Sequence, residues 1–403
     1  MERERSEAEQ QVARLLRTAR GKLDLSVAFL SRVDATTRTM QVVDTHLATP
    51  RDGYAGPRDS GFCLAVLEGR LPRVVPDVRE VPEAMALHPA DLPQIRGHVS
   101  VPVVLSDGTV YGTFCAYGLV TDPGVSPRDL ALVEVLADAA AMVIEPQVRL
   151  EQQHAEIRDR LAPVMAADGP DVVLQPIVDL RTGARVGAEA LSRFPAAWGR
   201  TPDVVFDEAH RIGEGHRLEL LALARGAELL DRVSGYVSLN VSPRTLLTPT
   251  CGELLSTLPL ERVVLELSEH DQVHDYPALE AALAPHRRRG MRLAVDDVGA
   301  GFSSLRHVLM AGPDVVKLDR SIVSGVDSDP MLAGLAQSLV GFAHSFDVCV
   351  VAEGVETAAE HAVLRALGVD DGQGWLFGRP APVVAPGPAP SGTRRLVAAD
   401  RPG

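Results

Sequence analysis

Lysine is almost missing from this chain: Lys22 and Lys317 stand alone beside 38 arginines, and aromatic residues make up only 4%. Each lysine therefore draws attention, because a compact ammonium is not interchangeable with a guanidinium. Cysteine is scarce too. Cys63, Cys115, Cys251 and Cys349 lie far apart, without the spacing of a zinc site or a disulfide framework, which favours a reducing compartment. No apolar run approaches the ~18 residues that a membrane-spanning helix needs. The best stretch, residues 136–144, contains Asp138 and is flanked by Glu134 and Glu145. The opening residues Met1-Glu2-Arg3-Glu4-Arg5 lack the apolar core of a secretory leader. Membrane insertion is not expected, and a cytoplasmic location is. Positive charge is also in deficit: 40 basic residues face 54 acidic ones, for a net charge of −14. That sign excludes a nonspecific grip on DNA or RNA. A phosphate-bearing ligand would require a local inversion of the field, for which bound cations are the usual device.

What is present is enough for two or three globular domains: 403 residues, 46% of them hydrophobic. Residues 2–20 have the spacing of an amphipathic helix with Val12, Leu15 and Leu16 on one side. Short β-type runs follow at 27–30, 39–43, 99–104 and 110–116, with Ser106-Asp107-Gly108 as a hairpin turn. Helical spacing returns over 128–144. Residues 1–146 thus read as an α+β module, an antiparallel sheet carried between helices. Its segments Gly61-Phe62-Cys63, Leu71-Pro72-Arg73-Val74-Val75-Pro76-Asp77 and Ser100-Val101-Pro102-Val103, through Gly108 and Gly112, resemble a GAF domain. That resemblance implies a sensing module with an unidentified small-molecule ligand. No histidine follows Cys63 as in chromophore-binding relatives, so Cys63 reads as a buried core thiol.

Pro146 is expected to interrupt the helix and open a linker, residues 147–168. There Leu150, His154, Ile157, Leu161 and Val164 recur at three- and four-residue spacing, which fits a two-stranded coiled coil or an ordinary packed helix. At the other end, residues 386–403 are rich in Pro, Gly, Ala and Ser and read as a disordered tail.

Residues 169–385 alternate apolar runs with helical stretches, the pattern of βα units. The runs at 172–178, 186–191, 236–241, 263–267, 293–295, 315–318, 348–352 and 375–377 are eight, the strand number of a TIM-type α/β barrel. In such barrels chemistry sits at the C-terminal strand ends. Those ends hold Glu189, Asn240, Glu266, Asp296 with Asp297, Lys317, Glu353 and Gln373. Each also fits a local role: Asp296 or Asp297 capping the turn at Gly299, Glu266 or Glu269 capping a helix, Lys317 pairing with Asp319, Asn240 in a turn. Such accidents on successive strands are improbable together. Converging carboxylates repel unless cations lie between them, and an all-oxygen set selects hard ions, Mg²⁺ or Mn²⁺. A pair of ions ~3.5–4 Å apart is the arrangement for hydrolysing phosphate esters. An enolase-type lyase also uses carboxylates and Mg²⁺.

The motifs Gln175-Pro176-Ile177-Val178, Glu189-Ala190-Leu191 with Arg193, Asn240-Val241-Ser242-Pro243, Glu266-Leu267-Ser268-Glu269, Asp296-Asp297-Val298-Gly299, Lys317-Leu318-Asp319, Glu353-Gly354-Val355-Glu356 and Gln373-Gly374-Trp375 stand in the order of the EAL-domain phosphodiesterases. The resemblance covers residues 171–382. It implies hydrolysis of cyclic di-GMP to linear pGpG with two Mg²⁺ or Mn²⁺ ions, in a homodimer. Carried over, Glu189, Asn240, Glu266 and Asp296 hold one metal, and Asp297 helps to hold the second with Glu353 at its edge. Lys317 orients the attacking water and Glu353 is the general base. Arg193 meets a phosphate, Gln175 and Gln373 line the nucleotide site, and Glu269 braces the loop 297–304. That loop departs from the family's common pattern, with Val298, Ala300 and Phe302 where Phe, Thr and Tyr are usual. No cyclase motif of the Gly-Gly-Asp-Glu-Phe type is present, so synthesis of the dinucleotide is not expected. A catalytically inactive cyclic di-GMP receptor is the rival expectation.

Overall fold

A computed structural model of the chain describes residues 5–87, 95–119, 127–268, 273, 275–299 and 310–382. They fall into two compact units divided between Ala155 and Glu156.

The first unit opens with the helix Glu7–Lys22, which starts at Ser6. The Ser6 hydroxyl accepts the Glu9 amide while the Glu9 carboxylate accepts the Ser6 amide, a reciprocal cap. Six strands follow: β1 Val27–Val33, β2 Thr37–Thr45, β3 Tyr54–Pro57, β4 Val74–Val75, β5 His98–Val104 and β6 Val110–Tyr117. They form an antiparallel sheet in the order β3-β2-β1-β6-β5-β4. The edge strands β3 and β4 are too short to show alternation in sequence. The turn between β5 and β6 lies where Asp107-Gly108 predicts it: Gly108 has φ +86° and Asp107 accepts the Thr109 amide at 2.8 Å. Period-two alternation sorts the sheet's side chains. Ala28, Leu30, Val101 and Phe114 pack on one face with Val12 and Leu16 of the first helix; Phe29, Met40, Cys115 and Tyr117 pack on the other with the helix Phe62–Leu67.

The helix Pro127–Ala166 runs through Pro146, contrary to the expected interruption. Proline deprives the carbonyl four residues earlier of its partner. Here that carbonyl belongs to Met142, whose residue is 75% exposed, so water can replace the lost bond. The terminal residues 386–403 lie outside the described residues.

His98 offers a test of this unit's packing. It is buried on β5 against the edge of Phe62, 4.8 Å between ring centres, and burial pushes its pKa down to about 3. The unfolded value of 6.5 is higher, so its contribution to stability is complete above pH 6.5 and falls as pH drops toward 3. At pH 5 the loss amounts to about 2 kcal/mol. Melting of the chain at pH 7 and pH 5 is expected to show that loss, and His98→Leu is expected to remove it.

In the second unit, β7 Asp171–Asp179, β8 Arg185–Arg193, β9 Tyr236–Asn240, β10 Val263–Ser268, β11 Arg292–Val298, β12 Val315–Leu318, β13 Cys349–Ala352 and β14 Asp371–Gln373 close into a barrel. The eight-stranded TIM-type architecture is as expected, with two corrections. First, β7 runs antiparallel to both β8 and β14. The turn after Asp179 is too short for the crossover that parallel neighbours require, and the Asp179 carboxylate closes it by accepting the Arg181 and Thr182 amides at 3.0 and 2.7 Å. Second, the last strand is β14, not residues 375–377. Trp375 and Leu376 follow it, 50% and 38% exposed, in a turn. Outside the barrel, Leu239, Leu265, Leu293, Val316 and Val350 pack beneath the surrounding helices, whereas Ile177, Tyr236, Val264, Ala294, Val315 and Val351 fill the interior.

Candidate active site

The interior layer of the barrel positions the site through the two-residue period of a strand. Two residues beyond Val264, Ala294, Val315 and Val351 come Glu266, Asp296, Lys317 and, just past its strand, Glu353. Tyr236 leads to Ser238 and then Asn240; Gly187, against the Tyr236 ring, leads to Glu189; Asp371 leads to Gln373. Because β7 is reversed, Ile177 is followed on this end by Gln175, two residues earlier, directly paired with Glu189. Eight strands thus deliver eight sets of polar groups to one end.

Lys317 lies at their centre, 1% exposed. Its Nζ is 2.7 Å from Glu353, 2.9 Å from Glu266, 3.1 Å from Asp296 and 3.6 Å from Glu189. Glu189 also accepts the amides of Asn240 (2.9 Å) and Gln373 (2.7 Å), and Gln373 donates to Gln175 at 2.9 Å. Gln175 in turn donates to the Gly378 carbonyl at 3.2 Å. The Oε1 of Gln373 is buried without a partner among the described residues. Ser238, which the sequence did not single out, donates to Glu266. The available signal was its position two residues before Asn240, on the same strand face.

Burial dominates the electrostatics. It would strip Lys317 of its proton, but the four carboxylates more than offset this and hold its pKa well above 10.5. Burial and the neighbouring charges of Glu189 and Asp296 raise Glu266 well above the usual carboxylate range, against the pull of Lys317. Glu189 is equally buried, yet Lys317 and the Gln373 and Asn240 amides keep it below its ordinary value. Glu353, pushed by burial and by Asp296 against Lys317, rises to about 8.

Residues 157–380, more than half of the chain, match the family model described as EAL domain. The chain belongs to the EAL domain family. Residues 6–145 match a GAF domain model, and the first unit is a GAF domain. The chain is 28% identical over 259 residues to a probable cyclic di-GMP phosphodiesterase, PdeB of Escherichia coli, covering 60% of this chain and 48% of that protein. It is 28% identical over 239 residues to cyclic di-GMP phosphodiesterase PA2567 of Pseudomonas aeruginosa, covering 53% and 38%. The chain therefore spans less than half the length of these curated relatives. Among solved structures, the PaMucR phosphodiesterase in complex with c-di-GMP superposes with TM-score 0.51 at 24% identity, over 56% of this chain and 98% of that one. The cAMP-bound EAL enzyme Bd1971 gives 0.51 at 19% identity, over 89% and 91%. Both bear on the fold alone.

Within the EAL domain, the paired aspartates need a departure from regular β-structure, since consecutive residues ordinarily face opposite sides. The pairing of β11 with β12 slips between Val295 and Val298, and Asp297 takes the left-handed conformation, φ +57°. Carboxylate oxygens of Asp296, Asp297 and Glu353 thereby come within 4.8 Å of one another, as do those of Glu189, Glu266 and Asp296. Two oxygen clusters sharing Asp296 fit a pair of hard divalent cations. Asn240 is exposed at the rim. Arg193 ends β8, half-buried, with its guanidinium on the Ser192 carbonyl at 2.9 Å. Lys317 does not need Asp319, which instead caps the next helix through the Ser321 amide at 2.8 Å. Glu269, Ala300 and Phe302 lie outside the described residues; Val298 is buried.

Gly374 of the EAL domain follows Gln373 and lies against the loop beyond Glu353. A β-carbon there would overlap backbone atoms of Val355. Gly374→Ala is expected to displace Glu353 and Gln373 together and to lower turnover by about tenfold or more, on the scale of small misplacements at reacting groups. Steady-state kinetics beside a melting curve separates that effect from unfolding.

Proposed function

We propose that this chain hydrolyses cyclic di-GMP to linear pGpG, as a homodimer controlled by its GAF domain. The observation that supports the reading is the convergence at one barrel end of the side-chain oxygens of Glu189, Asn240, Glu266, Asp296, Asp297 and Glu353, a set suited to hard cations, around the ammonium of Lys317. The names of the curated relatives supply the substrate. Divalent cations, Mg²⁺ or Mn²⁺, supply when bound the charge neutralisation of the phosphodiester and a more acidic water.

In this reading Glu189, Asn240, Glu266 and Asp296 hold one ion, and Asp297 with Glu353 the other. Lys317 orients the attacking water, and Glu353 takes its proton. The water oxygen forms a new bond to phosphorus, the bond from phosphorus to the 3′ oxygen breaks, and that oxygen takes a proton from solvent to leave as the 3′ hydroxyl. Arg193 faces a phosphate. Gln175 and Gln373 line the nucleotide site, the latter with its unpartnered buried carbonyl oxygen as an acceptor. Glu269 braces the loop 297–304. No side-chain nucleophile is required, so no covalent intermediate is formed.

Nucleotide chromatography after incubation with cyclic di-GMP and Mg²⁺ or Mn²⁺ tests the reading. pGpG is expected. Intact substrate after prolonged incubation, with binding that survives chelation, would instead identify a receptor. No helix among the described residues is long and apolar enough to cross a membrane.

A further inference from the structure

Arg38 stands on β2 of the GAF domain, 2% exposed. Among the described residues its guanidinium forms no hydrogen bond and no ion pair, and its Nε is buried without a partner. Buried charges in proteins are paired, because an isolated one loses its hydration and gains nothing in return. Asp44 and Asp52 of this unit are engaged with other arginines: Asp44 holds Arg17 and Arg20, and Asp52 holds Arg5 at 2.6 Å. Two other buried polar atoms in this unit are unpartnered as well, the Tyr117 hydroxyl on β6 and Nδ1 of His98 on β5. Arg38 lies close enough to Cys63 and Tyr117 for its charge to favour the ionised form of both. Phe29, Phe62 and Val27 belong to the hydrophobic cluster on this face of the sheet.

We propose that this inner face of the GAF sheet binds a small organic anion, a carboxylate- or phosphate-bearing metabolite, with Arg38 as its counter-charge and the Tyr117 hydroxyl as a second donor. The proposal deepens the reading of this unit as a sensor and is independent of the barrel's chemistry. Its internal rival is Cys63. The Cys63 sulfur lies 3.8 Å from that of Cys115, and this contact, with Arg38 adding to it, draws its pKa down to about 6. A permanent Cys63 thiolate would pair with Arg38 and leave no call for a ligand.

The test uses the full chain, with acetate and inorganic phosphate as probes, followed by thermal melting and calorimetric titration. One probe is expected to raise the wild-type midpoint by about 4 °C at saturation, and which one does so distinguishes a carboxylate from a phosphate ligand. Arg38→Lys is expected to keep part of that shift. Arg38→Met is expected to lose it and, without any probe, to melt above wild type, because an unpaired buried charge has been replaced by an apolar side chain. A wild-type midpoint that neither probe moves beyond the shift seen in Arg38→Met overturns the proposal. So does Arg38→Met melting below wild type, the result expected of a permanent pair with Cys63. Anion binding that leaves cyclic di-GMP turnover unchanged supports the site and ends the sensor reading.

Discussion

Glu189→Ala is expected to reduce cyclic di-GMP hydrolysis by about 10³-fold or more, equivalent to about 4 kcal/mol of lost transition-state stabilisation. Among the described residues Glu189 is the one carboxylate of the site that accepts two side-chain amides, from Asn240 and Gln373, while also facing Lys317. Its removal takes away a proposed metal oxygen and frees the orientation of two more polar groups, so kcat and kcat/KM are expected to fall together. Lys317 retains Glu266, Asp296 and Glu353, which limits the effect on folding. Circular dichroism together with pGpG production checks both halves of the expectation. Turnover near the wild-type rate in a folded variant would remove Glu189 from the mechanism.

Lys317→Met carries the second large effect, this time on stability as well as rate. Four carboxylates share that one ammonium, and it is almost wholly shielded from water. Breaking a buried ion cluster by removing one partner costs about 3–5 kcal/mol, because charge is left uncompensated in a poorly solvated place. In chelator-treated protein the barrel is therefore expected to unfold at markedly lower urea concentration. The pH dependence has a definite sign. Without the ammonium the carboxylates have folded-state pKa values above their unfolded ones, so stability is retained at low pH and lost as pH rises. Added Mn²⁺ is expected to restore much of the midpoint but not the turnover, since a divalent ion neutralises the cluster without taking over the proposed role of Lys317 in orienting the water. A urea midpoint unchanged in the chelated variant would show that Lys317 is not the cluster's counter-charge.

These two residues also show how far the sequence could be read. Glu189 and Lys317 each lie toward the C-terminal end of an apolar run, and on that signal alone they belong to one rim of a barrel. The pairing of Lys317 was not legible. Asp319, two residues away, is the partner that proximity suggests, whereas the actual four come from β8, β10, β11 and the loop after β13. Ser238 was missed because its one signal, a place two residues before Asn240, gains weight only when its neighbours across the sheet are known to be Glu189 on one side and Val264 on the other. Pro146 misled because helix termination by proline depends on whether water can reach the orphaned carbonyl, which is a property of packing.

Spacing and periodicity in this chain established an antiparallel sheet module, then eight apolar runs whose ends are rich in carboxylates and amides. These are local properties, written in steps of two and of three to four residues. Closure of the barrel decided the rest. It reversed β7, moved the eighth strand to Asp371–Gln373, and twisted Asp296 and Asp297 toward the same oxygens. The cause is long-range: hydrogen bonding must close around the ring and buried charge must find its opposite, and neither requirement is visible to any single segment.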